Sequence, residues 1–325
     1  MKKLALLLLT IIILVIVIGA CYIKFALPNV GEATTLKVDI TPERVQHGAY
    51  LANHVTLCVD CHSTRDWSKF SGPIIAGTEG KGGELFNNQM GFPGTFYSKN
   101  ITPSGLSTWT DGEIFRTITT GVDKNGKALF PVMPYLNYGK MDKEDIFDII
   151  AYIRTLPSID NKISDRSIDF PMNFIVNTIP QKASFTTKPS ASDTVQYGGY
   201  LVNASGCMEC HTQVKKGQII PALAFSGGRE FDLPMGITKS ANITPDKNTG
   251  IGNWTAEKFV TRFKTYADPA NITKLPTNMP NTIMPWTMYA GMDSADLRSI
   301  FKYLQTVKPI HNEVVHFVKN EKGLK

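Results

Sequence analysis

The chain has 325 residues, 42% of them hydrophobic and 19% charged, with a formal charge of +6. That length accommodates two or three domains of ordinary globular composition. No basic run with interleaved aromatics accompanies the positive balance, so a nucleic-acid partner is not indicated.

Met1-Lys2-Lys3 precedes an apolar run from Leu4 to Ile23, closed by Lys24. Such a run can span a hydrocarbon core, and lysines at the start favour a cytoplasmic N-terminus. The apolar region of a cleaved signal peptide is usually shorter, so residues 1–24 read first as an uncleaved transmembrane anchor. Ile18-Gly19-Ala20-Cys21 also fits a lipoprotein signal that would leave Cys21 as a lipidated terminus. Either reading holds the remainder at the cytoplasmic membrane, facing the periplasm or cell exterior. Residues 25–41 read as a stalk.

From residue 42 the chain states one pattern twice. The first copy opens with Gly48-Ala49-Tyr50-Leu51 and reaches Cys58-Val59-Asp60-Cys61-His62. The second opens with Gly198-Gly199-Tyr200-Leu201 and reaches Cys207-Met208-Glu209-Cys210-His211. C-x-x-C-H is the attachment pattern of c-type haem. Positions i, i+3 and i+4 share a helical face. Two thiols placed there can add to two haem vinyl groups while the imidazole reaches the iron. A redox C-x-x-C needs no following histidine, and a zinc site needs more spare ligands than each copy offers. Four of the five cysteines are used, which leaves only Cys21 outside the two motifs and no disulfide framework. Two covalently bound haem c groups are therefore expected, and their propionates would offset much of the positive charge.

Further pairs follow in register. Asn100-Ile101-Thr102-Pro103 with Trp109-Thr110 matches Asn242-Ile243-Thr244-Pro245 with Trp254-Thr255, and Met133-Pro134-Tyr135 matches Met284-Pro285-Trp286. Each copy closes with an amphipathic helix, near 142–155 with Ile146, Ile149, Ile150 and Ile153 on one face, and near 294–306 with Leu297, Ile300, Phe301 and Leu304. Gly48 and Gly198 are placed to let opening and closing helices cross tightly, with Tyr152 and Tyr303 opposite. The expected organisation is a haem domain over 42–160, a Pro-rich linker over 161–192 that packs along the domains, a second haem domain over 193–310, and a polar tail over 311–325.

Opposite each proximal histidine, Met133 and Met284 are the candidate iron ligands. They follow the first cysteine of their motifs by 75 and 77 residues, in the same Met-Pro-aromatic setting. Proline pushes the preceding residue into extended backbone, which places each thioether on a stiff loop. His47, His54, His311 and His316 have no counterparts in the other copy and read as surface residues or propionate neighbours. The candidate metal ligands are thus His62, Met133, His211 and Met284, with Cys58, Cys61, Cys207 and Cys210 holding the porphyrins.

The Asn-Ile-Thr-Pro, Trp-Thr and Met-Pro-aromatic blocks, together with the two haem motifs, resemble the cytochrome c subunits of membrane-bound bacterial alcohol, gluconate and sorbitol dehydrogenases. The resemblance covers roughly residues 42–308. It implies an all-α fold of two tandem class I cytochrome c domains behind an N-terminal membrane anchor, with His/Met ligation. It also implies electron transfer from a periplasmic dehydrogenase towards quinone or an oxidase. Those subunits commonly carry three haem domains, whereas this chain has two motifs. The expected role is a single-electron carrier between a redox protein donor and acceptor at the membrane. The rival readings are a dihaem peroxidase or sulfur-compound dehydrogenase with one open haem, and the cytochrome subunit of a terminal oxidase.

Overall fold

A computed structural model describes residues 1–233, 236–276 and 279–319. Two copies of one helix crossing organise it. In the first, the opening helix Pro42–Tyr50 packs across the closing helix Lys143–Thr155. In the second, Thr194–Ala204 packs across Ser294–Leu304. Both crossings depend on glycine. A Cβ on Gly48 would overlap the Asp148 carbonyl oxygen, and one on Gly198 would overlap that of Ser299. Tyr152 lies against Gly48 and Tyr303 against Gly199.

The closing helices bury the faces their periodicity predicts. Ile146, Ile149, Ile150 and Ile153 are buried, as are Leu297, Ile300, Phe301 and Leu304. Each contributes about 1.5–3 kcal/mol relative to an exposed position. The Trp-Thr blocks prove to be helix starts. Thr110 and Glu113 form a reciprocal capping box on Asp111–Thr120, and Thr255 caps Ala256–Lys264.

The first opening helix carries one more residue before its cysteine than the second. That residue is absorbed by a π-helical turn, Leu51–Val55. The two motifs consequently meet equivalent surroundings despite unequal spacing.

The expectation of an all-α fold, two tandem class I cytochrome c domains behind an anchor, is corrected here. About 41% of the chain is helical and 9% is strand, in three small sheets, which makes the fold mixed. β1 (Leu85–Phe86), β2 (Gly94–Tyr97) and β3 (Ser167–Ile168) form one antiparallel sheet. β4 (Val214–Lys215) pairs β5 (Gln218–Ile219). β6 (Glu230–Leu233), β7 (Gly236–Lys239) and β8 (Phe317–Lys319) form the third. The physical cause lies in the long loops after each haem motif. Their backbone groups need partners, and they find them as hairpins of two to four residues. Strands so short carry too little alternation to read from sequence. In both halves the third strand comes from chain beyond the closing helix.

The segment 161–192 supplies β3 and then runs along the first half. Phe185 stacks on Phe115 at 5.3 Å, Ser184 N–H donates to Gly139 O, and Lys188 Nζ meets Asp145 Oδ1 at 2.5 Å. Part of the polar tail is structured as β8, and residues 320–325 lie outside the described residues. Lys2–Phe25 is a single helix of mean hydropathy 3.3 over its most apolar window, with none of that window buried against protein. By length and composition it can cross a membrane.

The halves share one continuous apolar core, in which Val59, Tyr138 and Met141 join Tyr200, Tyr289 and Met292. Backbone carbonyls are bonded across the junction at corresponding places in both copies, and His54 Nδ1 bonds Met288 O at 2.8 Å where Asn137 and Asn203 meet in the other pair. Asn137 Nδ2 donates to Asn203 O at 3.1 Å, and Asn203 Nδ2 donates to Asn137 O at 3.0 Å.

Candidate functional site

Each C-x-x-C-H motif begins with a residue in left-handed backbone, Leu57 at φ 56° and Gly206 at φ 63°. The chain turns sharply there into one helical turn, Cys58–Cys61 or Cys207–His211. That turn places both thiols and the imidazole along one side. The thiols are half-buried, apart from the exposed Cys210.

The imidazoles are held alike. His62 Nδ1 lies 2.6 Å from Lys99 O, and His211 Nδ1 lies 2.8 Å from Ala241 O. A carbonyl can only accept, so Nδ1 carries the proton and Nε2 keeps its lone pair for a metal. Burial pushes both imidazoles below the ordinary histidine range, with the bond to the carbonyl opposing it. Neutral imidazole is the ligating form.

Those two carbonyls are positioned by the Asn-Ile-Thr-Pro blocks. Asn100 Oδ1 accepts from Thr102 N–H at 2.9 Å and from Thr102 Oγ1 at 2.7 Å, while Asn100 Nδ2 donates to Ile159 O at 2.8 Å. Asn242, Thr244 and Ile310 repeat this arrangement with the same three distances. The block therefore clips the loop to the chain that leaves the closing helix, and the carbonyl just before it faces the histidine. Gly82 and Gly227, both at φ 72°, complete the cradle. Their N–H groups donate to His62 O and His211 O, and a Cβ on either would overlap the Lys99 or Ala241 peptide. Only glycine accepts that backbone at that distance.

A second pair of residues ties each Met loop to its own motif. Tyr138 donates its hydroxyl to Thr56 O and Tyr289 donates to Ser205 O, both at 2.6 Å. Each acceptor lies two residues before the first cysteine, and each tyrosine lies five residues after the candidate methionine. Burial raises both phenols well above their ordinary range, so they remain donors. Met133 and Met284 are half-buried against the core cluster that Cys58 and Cys207 also border. Their carbonyls accept from Tyr135 N–H and Trp286 N–H, both at 2.8 Å. Met284 O additionally accepts from Ser71 Oγ of the first half at 2.7 Å. The matched tyrosine offset was visible in the sequence. Gly82 and Gly227 fall at unequal distances from their histidines, and a backbone carbonyl carries no side-chain signature.

The charges around the two motifs differ. Asp60 is buried within the first motif and pairs with Arg65 at 3.1 Å, and Arg65 also meets Glu84 at 2.8 Å. Burial lifts the Asp60 carboxyl to about 6, against the pull of Arg65. At the position corresponding to Glu84 the second half has Arg229, whose guanidinium donates to Glu209 O. Burial pushes the Cys61 thiol up to about 12, helped by the Asp60 charge, and the Cys207 thiol to about 12, helped by Glu209. Cys58 is also raised by burial, with the Thr56 hydroxyl opposing. These surroundings leave the free sulfurs in the thiol form. They suit an uncharged thioether. The donor set thus fits haem c.

The remaining histidines stand apart from both turns. His47 Nδ1 bonds Asp148 Oδ2 at 2.8 Å, His54 Nδ1 reaches Met288 O at 2.8 Å, and His311 lies 3.6 Å from Asp246. His316 O accepts from Lys239 N–H.

Two Cys-x-x-Cys-His turns, each with its imidazole held so that Nε2 is left for a metal, present the donor set of a cytochrome c. Comparison with known proteins says which kind. The chain is 27% identical over 296 residues to the cytochrome c subunit of the quinone-type alcohol dehydrogenase of Gluconacetobacter polyoxogenes, covering 86% of this chain and 59% of that one. It is 27% identical over 229 residues to the gluconate 2-dehydrogenase cytochrome c subunit of Pantoea cypripedii, covering 66% and 49%. It is 26% identical over 164 residues to a dihaem c-type cytochrome of Cereibacter sphaeroides, covering 48% and 53%. No protein-family model matches. The chain is a cytochrome c resembling these dehydrogenase subunits, with haem c as cofactor and electron transfer as its chemistry. It spans between about half and three-fifths of the length of these relatives.

Proposed function

We propose that this chain is a membrane-tethered dihaem cytochrome that carries single electrons from a dehydrogenase towards a quinone or an oxidase, outside the cytoplasm. One haem would be bound covalently by Cys58 and Cys61 within 42–160, the other by Cys207 and Cys210 within 193–310, with 161–192 linking them. His62 and Met133 would hold one iron, His211 and Met284 the other. Bound haem c supplies a one-electron iron couple, and a thioether ligand sets it at relatively high potential. The residues around it fix the histidine tautomer and tether each Met loop to its motif. A subunit of this kind needs no substrate of its own.

The observation that supports this reading best is the duplicated imidazole clamp, in which His62 with Lys99 and His211 with Ala241 repeat one hydrogen bond through one Asn-Thr clip. Two independent sites each built to orient an imidazole suit a pair of haem centres. The reduced absorption spectrum with and without carbon monoxide tests the ligation. An unchanged spectrum is expected from two six-coordinate irons. A shift of about half the Soret intensity would point instead to one open iron. Mass spectrometry of the denatured protein should find two haems still attached.

A further inference from the structure

Phe170 is the most exposed large apolar side chain after Met1 among the described residues, at 80%, above even Phe25 at 78% on the apolar N-terminal helix. It is not on a loose loop. β3 immediately before it pairs with β2, Asp169 N–H donates to Pro93 O at 3.1 Å, and Asn88 Nδ2 donates to Asp169 Oδ2 at 2.7 Å. Behind it, the short helix Met172–Ile175 and the turn Val176–Thr178 are fixed by Val176, which is buried. Phe174 packs edge-on against Phe170 with centroids 6.4 Å apart, and Ile175 is 43% exposed.

This element lies against the apolar N-terminal helix. The Met172–Ile175 helix and the turn after it both pack on Lys2–Phe25, and Asn177 Nδ2 donates to Ile23 O at 3.4 Å. Ile23 is two residues from the end of that helix, about 3 Å along its axis. The segment therefore stands at the level where the span leaves the hydrocarbon, beside the exposed Tyr22 and Phe25. Aromatic side chains at that level sit favourably at the membrane interface. A rigid aromatic held outward in water would only expose apolar area.

We infer that residues 169–179 form a lipid-contacting foot, with Phe170 and Ile175 inserted into the interfacial zone of the same leaflet from which the N-terminal helix emerges. The foot joins the haem-bearing part to the bilayer at a second point and sets its standoff and tilt. This rests on the membrane-tether reading of residues 1–24. It commits to lipid rather than to another protein, because the patch is continuous with the flank of a helix whose own surface is exposed and apolar.

The test uses the full-length holo-protein in its membrane. The photo-crosslinker p-benzoylphenylalanine is placed singly at Phe170, Ile175, Ile12 or the exposed Glu257, with haem absorbance confirming that each variant is folded. After illumination, adducts are identified by mass spectrometry. Phospholipid adducts are expected at Phe170, Ile175 and Ile12, above the Glu257 background. Lipid adducts at Ile12 with none at Phe170 or Ile175 overturn the foot while the tether stands, and protein adducts at those two positions do the same. Absence of a lipid adduct at Ile12 removes the tether, and the foot with it.

Discussion

The hydroxyl of Tyr50 donates to Asp296 Oδ2 at 2.6 Å, joining the first opening helix to the second closing helix. The mirror contact is present, since Tyr200 donates to Asp145 Oδ2 at 2.5 Å. Each tyrosine oxygen also accepts a backbone N–H, from Asp293 and Asp142 respectively, at 3.1 Å. The copies are thus closed on each other by the same residue pair used in both directions.

These charge-assisted bonds are partly to fully buried, so losing one leaves a carboxylate short of a partner. Tyr50→Phe or Tyr200→Phe should each lower stability by about 1–3 kcal/mol. Urea unfolding followed by haem absorbance checks this, and an unmoved midpoint for both would show that the reciprocal bonds do not hold the halves together.

Asp296 carries a pH signature. Burial raises its carboxyl above the ordinary 3.8, with the Tyr50 hydroxyl opposing. A raised folded-state pKa means the native protein holds this proton more tightly than the unfolded chain. Stability from this group is therefore full below about 3.8 and falls as pH rises through the folded value. Asp296→Asn should flatten that part of the stability profile. Asp145 differs in having Lys188 Nζ at 2.5 Å.

The glycine crossings admit no side chain. Gly48→Ala and Gly198→Ala should each destabilise by about 3 kcal/mol, near the upper end for overpacking, because the obstacle is a backbone carbonyl that cannot rotate away. Thermal melts of the holo-protein check this. Gly77→Ala, where a Cβ meets nothing within 4 Å, serves as the comparison, although its φ of +80° carries a strain of its own.

Asn100→Ala and Asn242→Ala should free the carbonyls that pin the imidazoles. Each variant is expected to retain both haems, weaken one iron–histidine bond and increase carbon monoxide binding at that centre. Indifference of both spectra to carbon monoxide would assign the clip to loop stability alone.

The charge difference between the motifs should separate the two potentials. Removing the negative charge in Glu84→Gln is expected to raise one midpoint, and removing the positive charge in Arg229→Gln to lower the other. Each shift should be about 20–70 mV, what Coulomb's law gives for one unit charge at an assumed separation of roughly 10 Å between effective dielectrics of about 80 and 20. Redox titration with optical detection resolves both. Movement of the same couple by both substitutions would contradict the assignment of these residues to separate centres.

Much of this was local and therefore readable along the chain. The two C-x-x-C-H turns and the three- and four-residue spacing of the buried closing-helix faces depend on neighbours within a turn or two. The Asn-Ile-Thr-Pro block was recognisable as a repeat, yet its task was not, because the group it positions is the carbonyl of Lys99 in one copy and Ala241 in the other. Carbonyls are alike in every residue, so their placement is settled by long-range backbone geometry. The same reason hid the sheets, whose strands are only two to four residues long and two of which are completed by β3 or β8 arriving from distant chain. It also hid the π-helical turn that restores register before Cys58. Side-chain periodicity set the helices and the chemistry of the motifs. Backbone pairing between remote segments set how each imidazole is aimed and how the two copies face each other.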